Sequence, residues 1–472
     1  MTQTITIDPV TRIEGHSKIT IQLGEDGSVA DARFHVTQYR GFEKFIEGRP
    51  FYELPGIMGR ICGICTISHE LAAAQACEAI MSVRVEGTAA DLRRIVNYAS
   101  LLQSHALSFF YLSSPDFLLG MESDVAKRSI FGLLETHPEI VRDGVRLRSF
   151  GQKIIERMAG RRIHPTWIVA GGVSEPLDAG VRETILAELP EIKALVRRSL
   201  DWFKRAMADY HEEARVFANF PTLFMTLVDE REDVLELYRG RLRVVDSTRR
   251  EILADFHRTE YQDYIGEAVE PDSYLKSPYY KPMGYPDGIY RVGPLARLNV
   301  IGKMGTPEAD QELAEYRGLN HLSSFYFHYA RLIECLHAVE RIEDLLDKPS
   351  ILNPRVRAHA SANVSEGIGV TEAPRGTLIH HYEVDEQGVV TGGNLVVATT
   401  HNNLAMNRGV LQVARRYIDG ENLSEGMLNR VEAVIRTFDP CLSCSTHASA
   451  QIPLRVQLLD PAGAVIEEAL RG

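Results

Sequence analysis

Apolar and polar residues alternate with a period of two from Thr4 to Val36, around a turn at Gly24-Glu25-Asp26-Gly27. Successive side chains of a strand face opposite sides, so this pattern predicts a β-hairpin. Beyond Gly63 the period lengthens. Apolar residues recur at roughly i, i+3, i+4 and i+7 over Ile67 to Met81, Asp91 to Tyr111 and Ile140 to Met158, the spacing that gives a helix one buried face. Two further long helices are predicted over Pro190 to Phe217 and Glu312 to Leu346. The stretch from Asp229 to Pro294 is richer in Tyr, Pro, Gly and Asp and reads as short strands and loops. Alternation returns over Gly376 to Glu383 and Gly388 to Val397, a strand pair around Asp385-Glu386-Gln387-Gly388. Asn403 to Ile418 and Ser424 to Phe438 go back to helical spacing. With no internal repeat and no linker-like stretch, the expected fold is one body over 1–447. It is mostly α with peripheral β-structure (an α+β class): the hairpin at about 4–36, then a helical core at about 67–438.

Composition narrows the functional classes. The 472 residues carry a net charge of -12, which argues against nucleic acid as a partner, because phosphate binding needs a basic face. There is no run of about eighteen or more uncharged apolar residues, the length a membrane-spanning helix requires. The first residues lack the basic segment and apolar stretch of a secretory signal, so a cytoplasmic location is expected. Six cysteines in a chain this long do not make a disulfide framework.

Four of those cysteines form two C-x-x-C pairs near opposite ends of the chain, Cys62/Cys65 and Cys441/Cys444, each followed by a histidine, His69 and His447. One such pair alone reads as a thioredoxin-type redox motif, and both together as a four-thiolate metal site, a structural zinc included. Against the redox reading, neither pair has a βαβ setting. Against structural zinc, the body has ample core of its own. Arg60 before the first pair and Asp439 before the second are expected to lend charge and hydrogen bonds to the site. Cys77 and Cys335 lie in apolar helical stretches and read as core.

Three more segments complete a pattern: Thr11-Arg12-Ile13-Glu14-Gly15-His16, Arg40-Gly41-Phe42-Glu43-Lys44 and Glu372-Ala373-Pro374-Arg375-Gly376. With the R-x-C-G-x-C-x-x-x-H and D-P-C-x-x-C-x-x-H signatures, the chain resembles the large, catalytic subunit of [NiFe]-hydrogenases over essentially its whole length. Tyr290 to Asn299 and Ala398 to Asn403 point within that family to the bidirectional, NAD-reducing type. The resemblance implies the family's large multihelical fold. It implies nickel held by all four thiolates, with Cys62 and Cys441 terminal. Cys65 and Cys444 would bridge to an iron carrying carbon monoxide and cyanide. His69 would donate a hydrogen bond near a bridging sulfur, Cys441 would first accept the proton from H2, and Glu14 would carry it away. Arg375 would lie over the metals and bond one cyanide, with Asp116 and Asp439 around it, and Thr399 would bond the other. Glu43, the Leu395 carbonyl and His447 would hold magnesium. Ala398 and His401 depart from the proline and tryptophan that many relatives carry. Taken without the resemblance, Glu14 reads as a salt-bridge partner of Arg12, Arg375 as a surface residue before a strand, Asp439 as a turn or cap residue beside Pro440, and Glu43 as a solvated carboxylate.

The chain has no further cysteine cluster and no glycine fingerprint for a dinucleotide. The resemblance therefore implies separate diaphorase subunits binding FMN and NAD, reached through an iron–sulfur small subunit. It also implies a maturation endoprotease that cuts between His447 and Ala448 and removes 448–472; by its alternation, Ile452 to Leu459 reads instead as a permanent terminal strand. The activity expected is reversible H2 oxidation coupled to NAD+. The alternatives are the same chemistry with another electron acceptor, a non-catalytic subunit like the related one of complex I, or a zinc-stabilised structural protein.

Overall fold

The structure is a computed structural model that describes residues 3–230, 233–418, 423–447, 454–459 and 465–471. Helix accounts for 47% of the chain and strand for 19%, in line with the expected mostly helical α+β class. The helices Thr66–Ile80, Gly87–Ala106 and Pro138–Ala159 lie close to where periodicity placed them. The second runs on into a π-helical segment, Leu107–Ser113, a local widening that recurs at functional sites.

Two helices depart from expectation. The one expected from Pro190 begins at Ala179, where Asp178 accepts the backbone N–H groups of Gly180 and Val181, and it ends at Ala206. Pro190 therefore sits inside it. Ile185 and Leu189 before the proline, and Ile192, Leu195 and Val196 after it, keep one continuous buried face. Burying those five side chains outweighs the roughly 3 kcal/mol penalty of an interior proline. The helix expected over 312–346 is two, Pro307–Tyr316 and Phe327–Leu346, broken around Gly318 and Asn320.

The N-terminal hairpin, Ser17–Leu23 with Val29–Val36, gains a third antiparallel strand, Thr4–Ile7. The later strand pair is likewise three-stranded: Glu366–Ala373, Gly376–Val384 and Val390–Val396. This sheet reaches further inward than expected, because every residue from Gly367 to Tyr382 is buried. Strand Glu366–Ala373 presses directly on helix Thr66–Ile80. A Cβ on Gly367 would stand 2.1 Å from the Ala76 carbonyl oxygen, and one on Gly369 would stand 1.9 Å from that of Ala72. Only glycine permits this approach. The strand runs back along the helix from Ala76 towards Ala72, so its tip at Pro374-Arg375 arrives near the helix N-terminus, capped by Cys65.

The second cysteine pair comes from the other direction. Helix Glu425–Phe438 ends on Asp439, whose left-handed backbone (φ 51°) turns the chain into Pro440-Cys441. The loop Thr11–Gly15 lies against that turn. Leu442 N–H donates to the Glu14 carbonyl at 3.2 Å, and Glu14 and Cys441 form a parallel β-bridge. Gly15, at φ +95°, leaves room for Leu442. Near the C-terminus, Leu454–Leu459 pairs with Val465–Arg471 and, among the described residues, with no other strand. The expected 452–459 strand thus appears from Leu454, while Ala448 and the rest of 448–453 lie outside the described residues.

Candidate metal centre

The two remote pairs meet. The four Sγ atoms of Cys62, Cys65, Cys441 and Cys444 all lie within 4.8 Å of one another, buried, with no disulfide. Cys65 and Cys444 are 3.0 Å apart, Cys441 and Cys444 2.7 Å, and Cys62 and Cys441 3.5 Å. Arg40 fastens the two segments together: its guanidinium donates to the Ile61 carbonyl and, at 3.3 Å, to that of Ser443. Its own N–H bonds the Thr446 carbonyl at 2.9 Å. Burial pushes the Cys441 and Cys444 thiols up, whereas hydrogen bonding with Cys441, Cys444 and Cys62 lowers Cys65. Four sulfurs this close repel as thiolates and call for a cation among them. The donor set is all soft sulfur, the kind that selects nickel, iron, copper(I) or zinc over hard cations. This is the one such ligand group among the described residues.

Around the sulfurs the structure assembles most of the residues singled out in the sequence. His69 is among the groups that lower the Cys65 thiol, and it pairs through Nδ1 with His380 Nε2 at 3.1 Å. Thr399 Oγ accepts Cys441 N–H at 2.9 Å, so its own hydrogen is left to donate. Arg375 is buried, not a surface residue. Its Nε donates to the Asp439 carbonyl at 2.6 Å, Nη2 to the Asp439 carboxylate at 3.2 Å, and Nη1 to Ser104 Oγ at 3.2 Å. Burial opposes its charge, but Asp439 and the sulfurs of Cys441, Cys65 and Cys62 outweigh it and keep the guanidinium protonated. Burial raises Asp439 even against Arg375 and Arg331.

Glu14 does not pair with Arg12. Its carboxylate accepts the Ser443 hydroxyl and, at 3.1 Å, the Ser443 N–H, beside Cys441 and Cys444. Arg12 instead donates to Asp116 at 2.5 Å and to the Leu112 carbonyl at 2.9 Å.

Asp116, expected around Arg375, makes its own bonds to other groups. Its oxygens accept Arg12, Arg436 Nε at 3.0 Å and Asn429 Nδ2 at 3.1 Å. The π-helical turn and the helix Ser114–Leu118 aim it at the Glu14 loop, and two guanidiniums hold it there. Burial would raise its pKa, but Arg436 and Arg12 bring it below the usual carboxylate value. Arg60 is exposed and does not bond the sulfurs, because the turn that buries Cys62 leaves it facing outward.

The hard-ligand group is partly gathered. Glu43 accepts Leu395 N–H at 3.0 Å, so Leu395 meets it through its amide hydrogen, and Lys276 Nζ lies 3.3 Å away. Burial raises Glu43, opposed by Lys276. His447 accepts the Phe42 N–H at Nδ1 (3.4 Å), while its Nε2 is buried without a partner. A carboxylate and an orphaned imidazole nitrogen fit a cation.

Sequence reading missed a set of buried charges behind Arg375. Arg297 donates to Glu334 through Nε at 2.6 Å and Nη2 at 2.7 Å, and to Glu372 through Nη1 at 2.7 Å. It also reaches the carbonyls of Ala373 at 3.0 Å and Pro374 at 3.2 Å. His105 Nε2 lies 2.8 Å from Glu334. Burial lowers His105 to about 4, which makes it neutral with Nε2–H donating, and Arg297 overcomes burial to bring Glu334 to about 2. The signal available was charge inside apolar helical stretches, such as Glu334 beside Cys335.

Comparison with known proteins gives the centre its chemistry. The nickel-dependent hydrogenase family matches residues 40–128 and 238–447, a range that holds all four cysteines. The chain belongs to that family. A HoxL-like family matches residues 4–39, which include Glu14. This hydrogenase chain is 42% identical to the NAD-reducing hydrogenase HoxS subunit beta of Cupriavidus necator, over 100% of both chains. It is 39% identical to a subunit of the F420-non-reducing hydrogenase of Methanothermobacter thermautotrophicus, over 94% of each. The crystal structure of an NAD+-reducing [NiFe]-hydrogenase in the H2-reduced state matches with a TM-score of 0.92 and 43% identity, covering 94% of this hydrogenase and 100% of that chain. The structural-zinc and thioredoxin readings are thereby set aside, and among the described residues no helix is long and apolar enough to cross a membrane.

Proposed function

We propose that the chain is the catalytic subunit of a bidirectional, NAD-linked [NiFe]-hydrogenase that interconverts H2 with two protons and two electrons. The observation that carries this is the meeting of Cys62, Cys65, Cys441 and Cys444 in one buried group, in a chain of the nickel-dependent hydrogenase family. When bound, the nickel–iron pair supplies the redox-active Lewis acid at which H2 is polarised and split.

The remaining work falls to the chain's own residues. Cys62 and Cys441 would serve as terminal ligands of that pair and Cys65 and Cys444 as the bridging ones, with carbon monoxide and cyanide completing the iron. Cys441 accepts the first proton at sulfur. Glu14, tied to Ser443 between the second pair, takes it onward from a site that is partly open to solvent. Arg375 faces the sulfurs as a fixed cation, and Thr399 has a hydroxyl hydrogen to donate; each suits one cyanide. His69 steadies Cys65. Asp439 orients Arg375, while Asp116 acts at the Glu14 loop. Glu43, the Leu395 carbonyl and His447 would hold magnesium.

Electrons leave through an iron–sulfur small subunit to diaphorase subunits binding FMN and NAD, in the cytoplasm. A maturation endoprotease cuts after His447 and removes 448–472. An intact C-terminus in the mass of active protein would overturn that cleavage. The test of the whole reading is metal analysis with infrared spectroscopy of the purified complex. Nickel, with iron in excess of it because the small subunit carries iron–sulfur clusters, and carbon monoxide and cyanide stretches are expected; zinc alone, or neither band, overturns it. An acceptor other than NAD+ in the co-purified complex would leave the H2 chemistry and remove the diaphorase.

A further inference from the structure

The buried charges behind Arg375 close on themselves. The tip Ala373-Pro374, which carries Arg375, is gripped through its two carbonyls by Arg297. Arg297 is gripped in turn by both oxygens of Glu334 on helix Phe327–Leu346. Glu334 takes His105, on helix Gly87–Ala106. The residue before His105 is Ser104, which accepts Arg375 Nη1. The ring therefore leaves Arg375 by its backbone and returns to it at its guanidinium. A branch adds Glu372, whose carboxylate takes Arg297, the Thr377 hydroxyl at 2.7 Å and the Leu227 N–H at 3.1 Å. Gly293 closes the packing, since a Cβ there would stand 2.6 Å from the Arg375 carbonyl oxygen.

We propose that Arg297, Glu334 and His105 are positioning residues that set the place of the Arg375 guanidinium over the metal centre. The inference rests on the reading of Arg375 above. A buried ion pair is weak as a source of stability, because desolvation offsets most of its attraction. A bidentate pair nevertheless fixes geometry in two directions at once. Among the described residues Arg375 bonds only one hydroxyl and Asp439 on its own account, so its direction depends on where the tip and Ser104 are held. Glu334 reaches the tip through Arg297 and the helix that carries Ser104 through His105.

Arg297→Lys tests this. Lysine keeps the charge but has no fork to hold Glu334, Glu372 and two carbonyls together. In the assembled complex, R297K should load nickel like the parent. It should lose about tenfold or more in kcat with KM for H2 unchanged, and should shift the cyanide bands of the resting enzyme. Arg93→Lys is the comparator. It weakens a pair with Glu78 that is equally buried (2.6 Å) and outside the ring, and should lower thermal stability while leaving turnover per nickel unchanged. Parent-like turnover, or unshifted bands, in nickel-loaded R297K overturns the positioning role. If R297K does not accumulate, Glu334→Gln is read by the same criteria. Arg375→Lys separates the two ideas: parent turnover there removes the role of Arg375 itself, whereas slow R375K with fast R297K removes only the ring.

Discussion

Replacing Glu14 by Gln separates proton transfer from everything else at this centre. The carboxylate accepts two hydrogen bonds from Ser443, one at 3.1 Å from its N–H and one from its hydroxyl. A carboxamide keeps one acceptor oxygen and the same shape, and Glu14 is partly solvent-exposed, so about 1 kcal/mol of stability is expected to be lost. The backbone bridge to Cys441 and the Leu442 N–H bond to the Glu14 carbonyl do not involve the side chain. The two cysteine segments, and with them the metals, should therefore stay in place. Proton movement is different, because an amide cannot take a proton from a thiol. Loss of a positioned acid–base group lowers rates by about 10²–10⁴, which is about 3–5 kcal/mol of barrier. The expected E14Q protein has parent nickel and iron contents, a urea midpoint close to the parent, and H2-dependent dye reduction at 1% or less (on the order of 10² or greater loss). Deuterium exchange from D2 into water should fall in parallel. Normal turnover in metal-loaded E14Q would refute the reasoning, as would loss of metal together with activity.

Two other perturbations are fixed by the buried charges. Asp116→Asn leaves Arg12 and Arg436 without their shared carboxylate in the interior, a change of about 3–5 kcal/mol; a urea midpoint within error of the parent would show that the network is not structural. Stability should also fall on acidification. His105, lowered from 6.5 to about 4, and Glu334, lowered from 4.5 to about 2, bind protons more readily unfolded than folded. Their contributions are complete above pH 6.5 and 4.5 respectively, and are lost as pH falls through the folded values. The difference in urea midpoint between parent and E334Q should narrow as pH is lowered from about 4.5 towards 3, and a constant difference would contradict the assignment.

Much of this centre was legible in one dimension. C-x-x-C pairs are local objects whose spacing already carries a ligand set, and periodicities of two and 3.6 are set by backbone geometry that neighbouring residues share. Hence the helices Thr66–Ile80 and Glu425–Phe438 that end at the two pairs were placed within a few residues. Boundaries failed where distant burial overrode a local rule. Pro190 reads as a helix start, and becomes an interior residue because Ile185, Leu189 and Ile192 share one buried face. The third strands, Thr4–Ile7 and Glu366–Ala373, were missed because pairing depends on what lies alongside. Gly367 and Gly369 look like a weak strand until helix Thr66–Ile80 is laid against them.

Charge was the least legible property. A sequence shows that Asp116, Arg297 and Glu334 are ionisable, but not that they are dry, nor which partner each has chosen. Asp116 turned to Arg12 and Arg436 rather than to Arg375, because an ion in the interior is held by whichever opposite charge shares its cavity. The sequence by itself determined the thiolate ligands and the elements that carry them, since both depend on residue type and local spacing. Only the tertiary structure decided how Arg375 is aimed and what holds Glu14 beside the second cysteine pair. Those orientations come from contacts between segments hundreds of residues apart, and no local pattern encodes them.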